Sequence, residues 1–362
     1  MTFGIAIDAA AWQQHTEAVR DRVHAADAAL IPVIKGDGYG LGQAFLARET
    51  SRLGLKAISV GTVHEVASVL NDFDGDIIVL EPFDPRDHSA TAVWQDYADT
   101  EVDGRLIRTV ASTEGLDHLL DTHQLPRVII ESRTAMQRFG FERTALREAW
   151  QWASQAAADG RLRLHGITVH LPLKPTNADL DEILTLADDL GDSSLHILTS
   201  HVDVPQLEIL KRHNPNLRFS LRIGTALWLG ARAALQPFGT VLAVHKVAKG
   251  EAIGYNRRPA RAAGHVVVVA GGTAHGVGLA APTPANTWRQ RLVTVGIGAF
   301  EAAGRAKSPF SFGQQELWFI EPPHQHVSML WLSASSTPPA VGAELPAVTR
   351  FTITHADVVE LR

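Results

Sequence analysis

A lysine with the setting of a reactive amine lies near the amino terminus. Ile31–Gly42 reads IPVIKGDGYGLG, so Lys35 follows an apolar stretch and precedes a glycine-rich turn that contains Tyr39. A lysine that emerges from an apolar strand into a pocket is poorly hydrated, which lowers its pKa and favours the neutral, nucleophilic amine. This is what a Schiff-base lysine requires. A strand-end lysine that only reaches solvent is the commoner case and stays open at this point.

The elements around this lysine predict a barrel. Short, apolar, β-branched runs recur along the first two thirds of the chain, and stretches with helical spacing lie between several of them. This alternation implies parallel strands joined by crossover helices. Eight strands are the count of a (β/α)8 TIM-like barrel, and a doubly wound sheet is the alternative. The predicted strands are Leu30–Ile34, Ala57–Val60, Ile77–Leu80, Leu106–Val110, Val128–Glu131, Gly166–Val169, His196–Thr199 and Phe219–Ile223, and the predicted helices are Val63–Leu70, Thr113–Leu120, Ala145–Ala158 and Leu180–Leu190.

The pattern changes after Gly230, where helical periodicity mostly disappears. Short strand-like runs separated by glycine, proline and polar residues predict a smaller all-β domain. We therefore expect a barrel at residues 8–232 and a β-domain at residues 233–362, with the opening strand, residues 1–7, pairing to the β-domain. The predicted strands of this domain are Val241–Val247, His265–Val269, Arg291–Val295, Leu317–Ile320 and Val327–Leu332.

Composition excludes several classes of function. The net charge of −6 provides no basic field for nucleic acid or an anionic membrane. The absence of cysteine excludes disulfides, zinc–thiolate sites, iron–sulfur clusters and cysteine nucleophiles. The amino terminus lacks the pattern of a signal peptide, and no run has the length of a membrane span. We expect a soluble, cytoplasmic protein.

Five further segments follow the lysine segment in a fixed order. They are RTAMQRFGF with Arg138, GITVH with His170, LRIGTALWLG with Arg222, GEAIGY with Tyr255, and GGTAHG at residues 271–276. Together with the Lys35 segment they resemble the alanine racemase family. The resemblance implies pyridoxal 5′-phosphate (PLP) bound to Lys35, an amino-acid substrate, and a homodimer whose active site is shared between subunits.

The resemblance also assigns roles around the cofactor. Lys35 is the tether, and the Tyr39 hydroxyl and the backbone N–H groups near Gly224 and Thr225 are expected to bind the phosphate. Arg222 is expected at the pyridine nitrogen. A guanidinium donates hydrogen bonds but cannot accept them, so it keeps that nitrogen unprotonated. The ring is then a weaker electron sink, which by family analogy suits proton exchange at Cα.

Racemisation needs two bases on opposite faces of a planar intermediate, since one base returns the proton only to the side it left. Lys35 is the first candidate. Tyr255 is the second, and by resemblance it enters from the other subunit. We expect His170 to be one of the cofactor-binding residues, and it could hydrogen-bond Tyr255. Arg138 could bind the substrate carboxylate or orient the phenolate.

The chain departs from the family at three single positions. Thr273 replaces the usual tyrosine of the glycine-flanked loop, and His275 stands where an aspartate is common. Glu131 stands where the family often has a modified, carboxylate-bearing lysine. A glutamate retains the negative charge with a shorter reach.

A fourth departure is the segment EPPHQHVSM at residues 321–329, which replaces a Met-Asp segment near the substrate. We expect it to line the active site of the partner and to influence substrate choice, with Ser328 and Met329 as substrate-binding candidates. His324 and His326 alternate, so on a strand both would face one side, as metal ligands can. No third ligand is nearby, and no metal site is expected.

Three functions remain. The first is a PLP-dependent racemase of a small amino acid, favoured by Arg222 and Tyr255. The second is another PLP reaction, epimerisation or decarboxylation, which Thr273 and residues 321–329 favour, as they favour a shifted substrate. The third is a protein that binds PLP without turnover, against which a complete second domain argues.

Overall fold

The computed structural model describes residues 2–122, 125–279 and 306–362. The chain opens on strand β1 (Phe3–Ile7) and forms two compact units. The first unit comprises residues 13–38 and 43–230, and the second comprises residues 1–12, 39–42 and 231–362. The predicted strand Arg291–Val295 lies outside the described residues.

The first unit is a (β/α)8 barrel, as predicted. Its eight strands pair in parallel, and each of the eight predicted runs overlaps one of them. A parallel bridge from Val33 to Ser59 connects the two ends of the strand order, which distinguishes the barrel from an open, doubly wound sheet. The strands are β2 (Ala29–Pro32), β3 (Ala57–Val60), β4 (Asp76–Pro82), β5 (Leu106–Val110), β6 (Arg127–Ser132), β7 (Arg163–His170), β8 (His196–Ser200) and β9 (Arg218–Ile223).

The helices follow apolar periodicity and local capping. On the helix at residues 143–158, Leu146, Ala149, Trp150 and Ala153 recur at helical spacing and are buried. The α-helices are α1 (Ala9–Ala25), α2 (Gln43–Arg52), α3 (His88–Tyr97), α4 (Thr113–Thr122), α5 (Arg143–Ala158), α6 (Asn177–Leu190), α7 (Val204–His213) and α8 (Thr225–Trp228). None of those described is long and apolar enough to cross a membrane.

One predicted helix differs from expectation. The stretch predicted as Val63–Leu70 forms a 3-10 helix at Val63–Ser68. Its two buried residues, Val63 and Val66, are three positions apart, so a helix with three residues per turn places both on one side.

The second unit contains a mainly antiparallel eight-stranded sheet and a separate two-stranded sheet formed by residues 252–253 and 258–259. Its strand β1 pairs antiparallel with the long strand at residues 235–247 and parallel with the last strand. Phe3, Val241, Val267, Phe310 and Leu330 belong to its apolar core. Its other strands are β10 (Leu235–Val247), β11 (Ala252–Ile253), β12 (Arg258–Pro259), β13 (Gly264–Ala270), β14 (Lys307–Phe312), β15 (Gln315–Phe319), β16 (Val327–Ser333), β17 (Glu344–Pro346) and β18 (Val358–Leu361).

Candidate active site

The carboxyl ends of the barrel strands bring together most of the charged residues that the sequence singled out. Parallel packing places the ends of all eight strands at one mouth, where barrel enzymes build their active sites. The side chains there influence one another electrostatically. They are Lys35 after β2, Glu131 in β6, Arg138 in the loop after β6, His170 at the end of β7, His201 after β8, and Arg222 in β9.

Lys35 has the electrostatic setting of a reactive amine. Its side chain is exposed as a whole, yet the surrounding protein removes part of the hydration of its amine. This loss of hydration is the largest effect on the pKa of Lys35 and lowers it. The positive charges of Arg138 and Arg222 lower it further, and the carboxylate of Glu65 opposes them. The arrangement favours the neutral amine.

Glu65 binds the backbone immediately after Lys35 and the backbone of a neighbouring loop, a role that sequence reasoning did not predict. Its Oε1 accepts a hydrogen bond from the Gly36 N–H at 3.2 Å, and its Oε2 accepts one from the Gly61 N–H at 2.8 Å. Gln43 Nε2 also donates to Glu65 Oε2 at 2.8 Å and to the Ile34 carbonyl at 3.0 Å. One carboxylate therefore connects the loops that follow β2 and β3.

Replacing Glu65 by alanine is expected to lower the free energy of unfolding by about 2 kcal/mol, because the variant leaves three donors without their charged acceptor. Urea denaturation of the purified protein measures this. The exposed Glu148 on α5 provides a matched control, and Glu148→Ala is expected to change stability by less than about 0.5 kcal/mol. Equal effects of the two substitutions would contradict the role of Glu65.

Arg222 and Glu131 are two buried ionisable residues of the barrel strands that influence each other electrostatically. Arg222 is 7% exposed, and its terminal nitrogen donates to the Val169 carbonyl at 3.1 Å. Burial lowers the pKa of Arg222 to about 10, although the charge of Glu131 raises it. Burial raises the pKa of Glu131 to about 7, although Arg222 and Arg138 lower it. Near neutral pH Glu131 therefore carries only part of the negative charge that its residue type suggests.

The raised pKa of Glu131 predicts a pH-dependent stability. Between its ordinary value of 4.5 and about 7, folded Glu131 keeps a proton that the unfolded chain releases. The free energy of unfolding must therefore fall as the pH rises through this range, by up to about 3 kcal/mol.

Substitution by glutamine removes this proton uptake. Denaturation of the protein without added ligands, across the same pH range, should show the wild type losing stability relative to Glu131→Gln as the pH rises. A constant difference between the two proteins would contradict the raised pKa.

The histidines divide between the two ends of the barrel. At the mouth, His170 Nδ1 lies 2.7 Å from Ser200 Oγ, and its ring contacts the ring of His201. Burial and the charges of Arg222 and Arg138 lower the pKa of His170 to about 3, so it is neutral. His165 and His196 lie towards the amino ends of β7 and β8, where His196 Nδ1 is 2.9 Å from the His165 carbonyl.

Arg138 lines a cavity of about 590 Å³ beside the mouth. Its guanidinium lies 5.2 Å from the centre of the Phe139 ring, and Phe83, Trp94 and Arg133 also line the cavity. The space is large enough for a small-molecule group. Sequence reasoning identified Arg138 but gave no indication of this cavity.

The three residues that the sequence predicts as phosphate ligands lie in two different parts of the chain. Gly224 immediately precedes the four-residue α8, whose Trp228 side chain donates to the Val33 carbonyl at 3.0 Å and connects β9 to β2. Thr225 is the first residue of α8. Tyr39, in the second unit, is buried and has a left-handed backbone with φ of 59°. The roles of these three residues stay predictions.

Tyr255 lies in the turn between β11 and β12 of the second unit, and 82% of it is exposed. Its backbone N–H donates to Glu321 at 3.0 Å, and its ring centre lies 4.5 Å from that of His324. His324 and His326 precede β16, so the strand alternation assumed from the sequence does not apply to them. Among the described residues no group of three or more histidines and carboxylates could hold a metal ion.

The other departures from the family pattern have local structural roles. His275 closes a 3-10 turn that starts at Thr273, where its Nδ1 accepts from the Gly272 N–H at 3.1 Å. Ser328 is buried and donates to the Gly271 carbonyl at 2.7 Å. Met329 packs against an apolar cluster of the second unit. Roles for Ser328 and Met329 in substrate binding stay predictions.

The fold and the mouth define a (β/α)8 barrel protein with an additional β-domain and a partly desolvated lysine beyond its first barrel strand. Residues 7–230 match the model of the alanine racemase N-terminal domain. The chain therefore belongs to the alanine racemase family.

Individual relatives agree with this assignment. The chain is 28% identical over 276 residues to the alanine racemase of Mycolicibacterium vanbaalenii, across 70% of this chain and 66% of the relative, slightly less than two thirds of its length. The alanine racemase of Bartonella henselae, solved with covalently bound pyridoxal phosphate, has the same fold, with a TM-score of 0.66, 16% identity, and coverage of 96% of this chain and 91% of that one. The Bacillus anthracis alanine racemase with bound L-Ala-P matches with a TM-score of 0.67, 18% identity, and coverage of 96% and 85%.

Proposed function

We propose that this protein is a PLP-dependent racemase of a small amino acid, active as a homodimer in the cytoplasm. The observation that carries the proposal is the joint position of Lys35 and Arg222 at the barrel mouth, where partial loss of hydration and like charge lower the pKa of the lysine amine. Family membership and the covalently bound cofactor of the Bartonella henselae relative support it.

The residues at the mouth fit PLP. The cofactor requires a covalent tether, a phosphate site and a partner for its ring nitrogen. Lys35 would supply the tether. Arg222 has a buried Nε–H without an acceptor among the described residues, which makes it a suitable donor to the ring nitrogen. The backbone N–H groups of Gly224 and Thr225 would hold the phosphate, and the Tyr39 hydroxyl is the further candidate that the family resemblance names.

The chain's own residues would then move the proton. When bound, PLP acidifies the substrate Cα–H by withdrawing electrons. The Lys35 amine would take or return the proton on one face of the substrate, and the Tyr255 phenol of the partner subunit on the other. Arg138 would bind the substrate carboxylate, since a guanidinium pairs with a carboxylate through two hydrogen bonds. Neutral His170, in contact with Ser200, would leave the positive charge of the mouth to Arg138 and Arg222.

The cavity beside Arg138 favours a second candidate, a PLP reaction on a larger amino acid. A side chain beyond a methyl group would have room among Phe83, Trp94 and Phe139. Epimerisation and decarboxylation belong here, and a non-catalytic PLP protein is the remaining alternative.

Incubation with a panel of L- and D-amino acids, followed by chiral chromatography and measurement of released carbon dioxide, separates these functions. The proposal predicts inversion of configuration, strongest for a small amino acid, without carbon dioxide. Carbon dioxide release would replace it with decarboxylation, and no turnover by PLP-loaded protein would leave the carrier function.

A further inference from the structure

A buried carboxylate underlies the turn that presents Tyr255. Glu321 is 5% exposed, and it accepts the Tyr255 N–H at 3.0 Å through Oε2 and at 3.4 Å through Oε1. Gly254 makes this approach possible, because a Cβ at that position would lie 2.3 Å from Glu321 Oε2. Its φ of 73° also favours glycine. The backbone at Tyr255 is therefore fixed from beneath by one charged acceptor.

The same carboxylate also holds His324. Glu321 Oε1 lies 2.7 Å from His324 Nε2, which places the imidazole beside the phenol. The two ring centres are 4.5 Å apart and the planes meet at 38°, within the range of aromatic contact. Glu321 thus connects to Tyr255 twice, directly through the backbone and indirectly through the His324 ring.

We propose that His324, held by Glu321, is the positioning residue that orients the Tyr255 phenol for proton transfer. The inference rests on the proposed function, in which Tyr255 is the second base. An exposed tyrosine samples several rotamers, and proton transfer requires its hydroxyl within hydrogen-bond reach of the substrate Cα–H. A ring packed against the phenol reduces those rotamers, so a larger fraction of molecules is ready to react.

His326 provides the matched control. It lies two residues along the same segment and is exposed. Its ring centre is 5.9 Å from that of His275, so it has its own aromatic neighbour. A substitution at His326 changes the segment's composition in the same way but leaves the Glu321–His324–Tyr255 arrangement intact.

The kinetic prediction is asymmetric between enantiomers. His324→Ala should slow Cα–H exchange about tenfold for the one enantiomer that depends on Tyr255, which corresponds to the upper part of the energy range of an aromatic pair. Exchange of the other enantiomer should stay within about twofold. His324→Phe, which retains a ring, should recover part of the loss, and His326→Ala should exchange both enantiomers as the wild type does. A merely structural role would slow both enantiomers alike.

A second measurement needs neither cofactor nor activity. The chain has three tyrosines, so 3-fluorotyrosine incorporation gives a simple ¹⁹F NMR spectrum in which Tyr255→Phe identifies the Tyr255 signal. His324→Ala should shift and narrow this signal as the ring gains freedom, whereas His326→Ala should leave it unchanged. An unchanged signal in His324→Ala would overturn the contact.

Exchange rates of the Tyr255→Phe and His324→Ala variants separate failure of the inference from failure of the proposed function. If Tyr255→Phe loses exchange of one enantiomer and His324→Ala does not, the positioning role is wrong and the racemase proposal survives. If Tyr255→Phe exchanges both enantiomers normally, Tyr255 is not the second base. The two-base part of the proposed function and the positioning role of His324 are then both wrong. A circular dichroism melt confirms that each variant is folded before its exchange is compared.

Discussion

Lys35→Ala is expected to lose the visible absorbance of bound PLP and to slow Cα–H exchange by roughly 10⁴-fold or more, because one residue supplies both the covalent tether and a catalytic base. The partial loss of hydration and the neighbouring arginines, which lower the pKa of Lys35, would favour both roles. Spectra of the dialysed protein and exchange rates in deuterated solvent measure the two effects.

The exposed Lys56, immediately before β3, provides a control for Lys35→Ala. Lys56→Ala should retain the absorbance and the activity, because its side chain lies towards the amino end of the barrel strands, where barrels place residues that serve stability. If Lys35→Ala kept a dialysis-resistant visible band, Lys35 would not be the tether.

Tyr255→Phe is expected to slow Cα–H exchange of one enantiomer by roughly 10²- to 10⁴-fold, which is the usual contribution of a positioned acid or base. The other enantiomer should continue to exchange through Lys35. The substitution removes only the hydroxyl, so the ring contact with His324 and the backbone bond to Glu321 are retained. Rates for L- and D-substrate, each followed by loss of the Cα proton signal, measure this.

Tyr97→Phe is the control for Tyr255→Phe, since Tyr97 is the last residue of α3 on the outside of the barrel strands. Both enantiomers should exchange at wild-type rates in that variant. Equal loss for both enantiomers in Tyr255→Phe would indicate a binding or structural role for the phenol and not a second base.

The barrel could be predicted because its strands are short β-branched runs whose burial leaves a clear pattern in the sequence. The helical spacing of Val63–Leu70 predicts an α-helix, but the structure has a 3-10 helix at Val63–Ser68. Its two buried valines lie three residues apart, a distinction that helical spacing alone does not make. β14 and β18 were missed, because their sequences lack a continuous apolar run.

Site residues could be predicted from the sequence where the residue type alone determines their chemistry. They could not be predicted where the folded surroundings determine that chemistry. Lys35 and Arg222 could be selected as a reactive amine and a donor. The charge state of Glu131 could not be predicted from the sequence, because burial raises its pKa to about 7 only once the barrel has formed. The role of Glu65 depends on the N–H groups of Gly36 and Gly61, which the fold brings together from two different loops.

The His324–His326 pair illustrates the same limit. Alternation suggested two side chains on one face of a strand, but β16 begins only at Val327. The turn before it directs the two rings to different neighbours, His324 to Glu321 and Tyr255, and His326 to His275. The two-residue spacing of these histidines therefore predicts the direction of their side chains only when the local backbone conformation is also known.

The most direct test of the central claim is proton exchange by PLP-loaded protein in deuterated water, starting from a single enantiomer of a small amino acid. We predict that the Cα proton is replaced by deuterium and that the opposite enantiomer accumulates with deuterium at Cα until the two are equal. Retention of the original Cα proton and configuration across the amino-acid panel would contradict the assignment of this chain as a racemase.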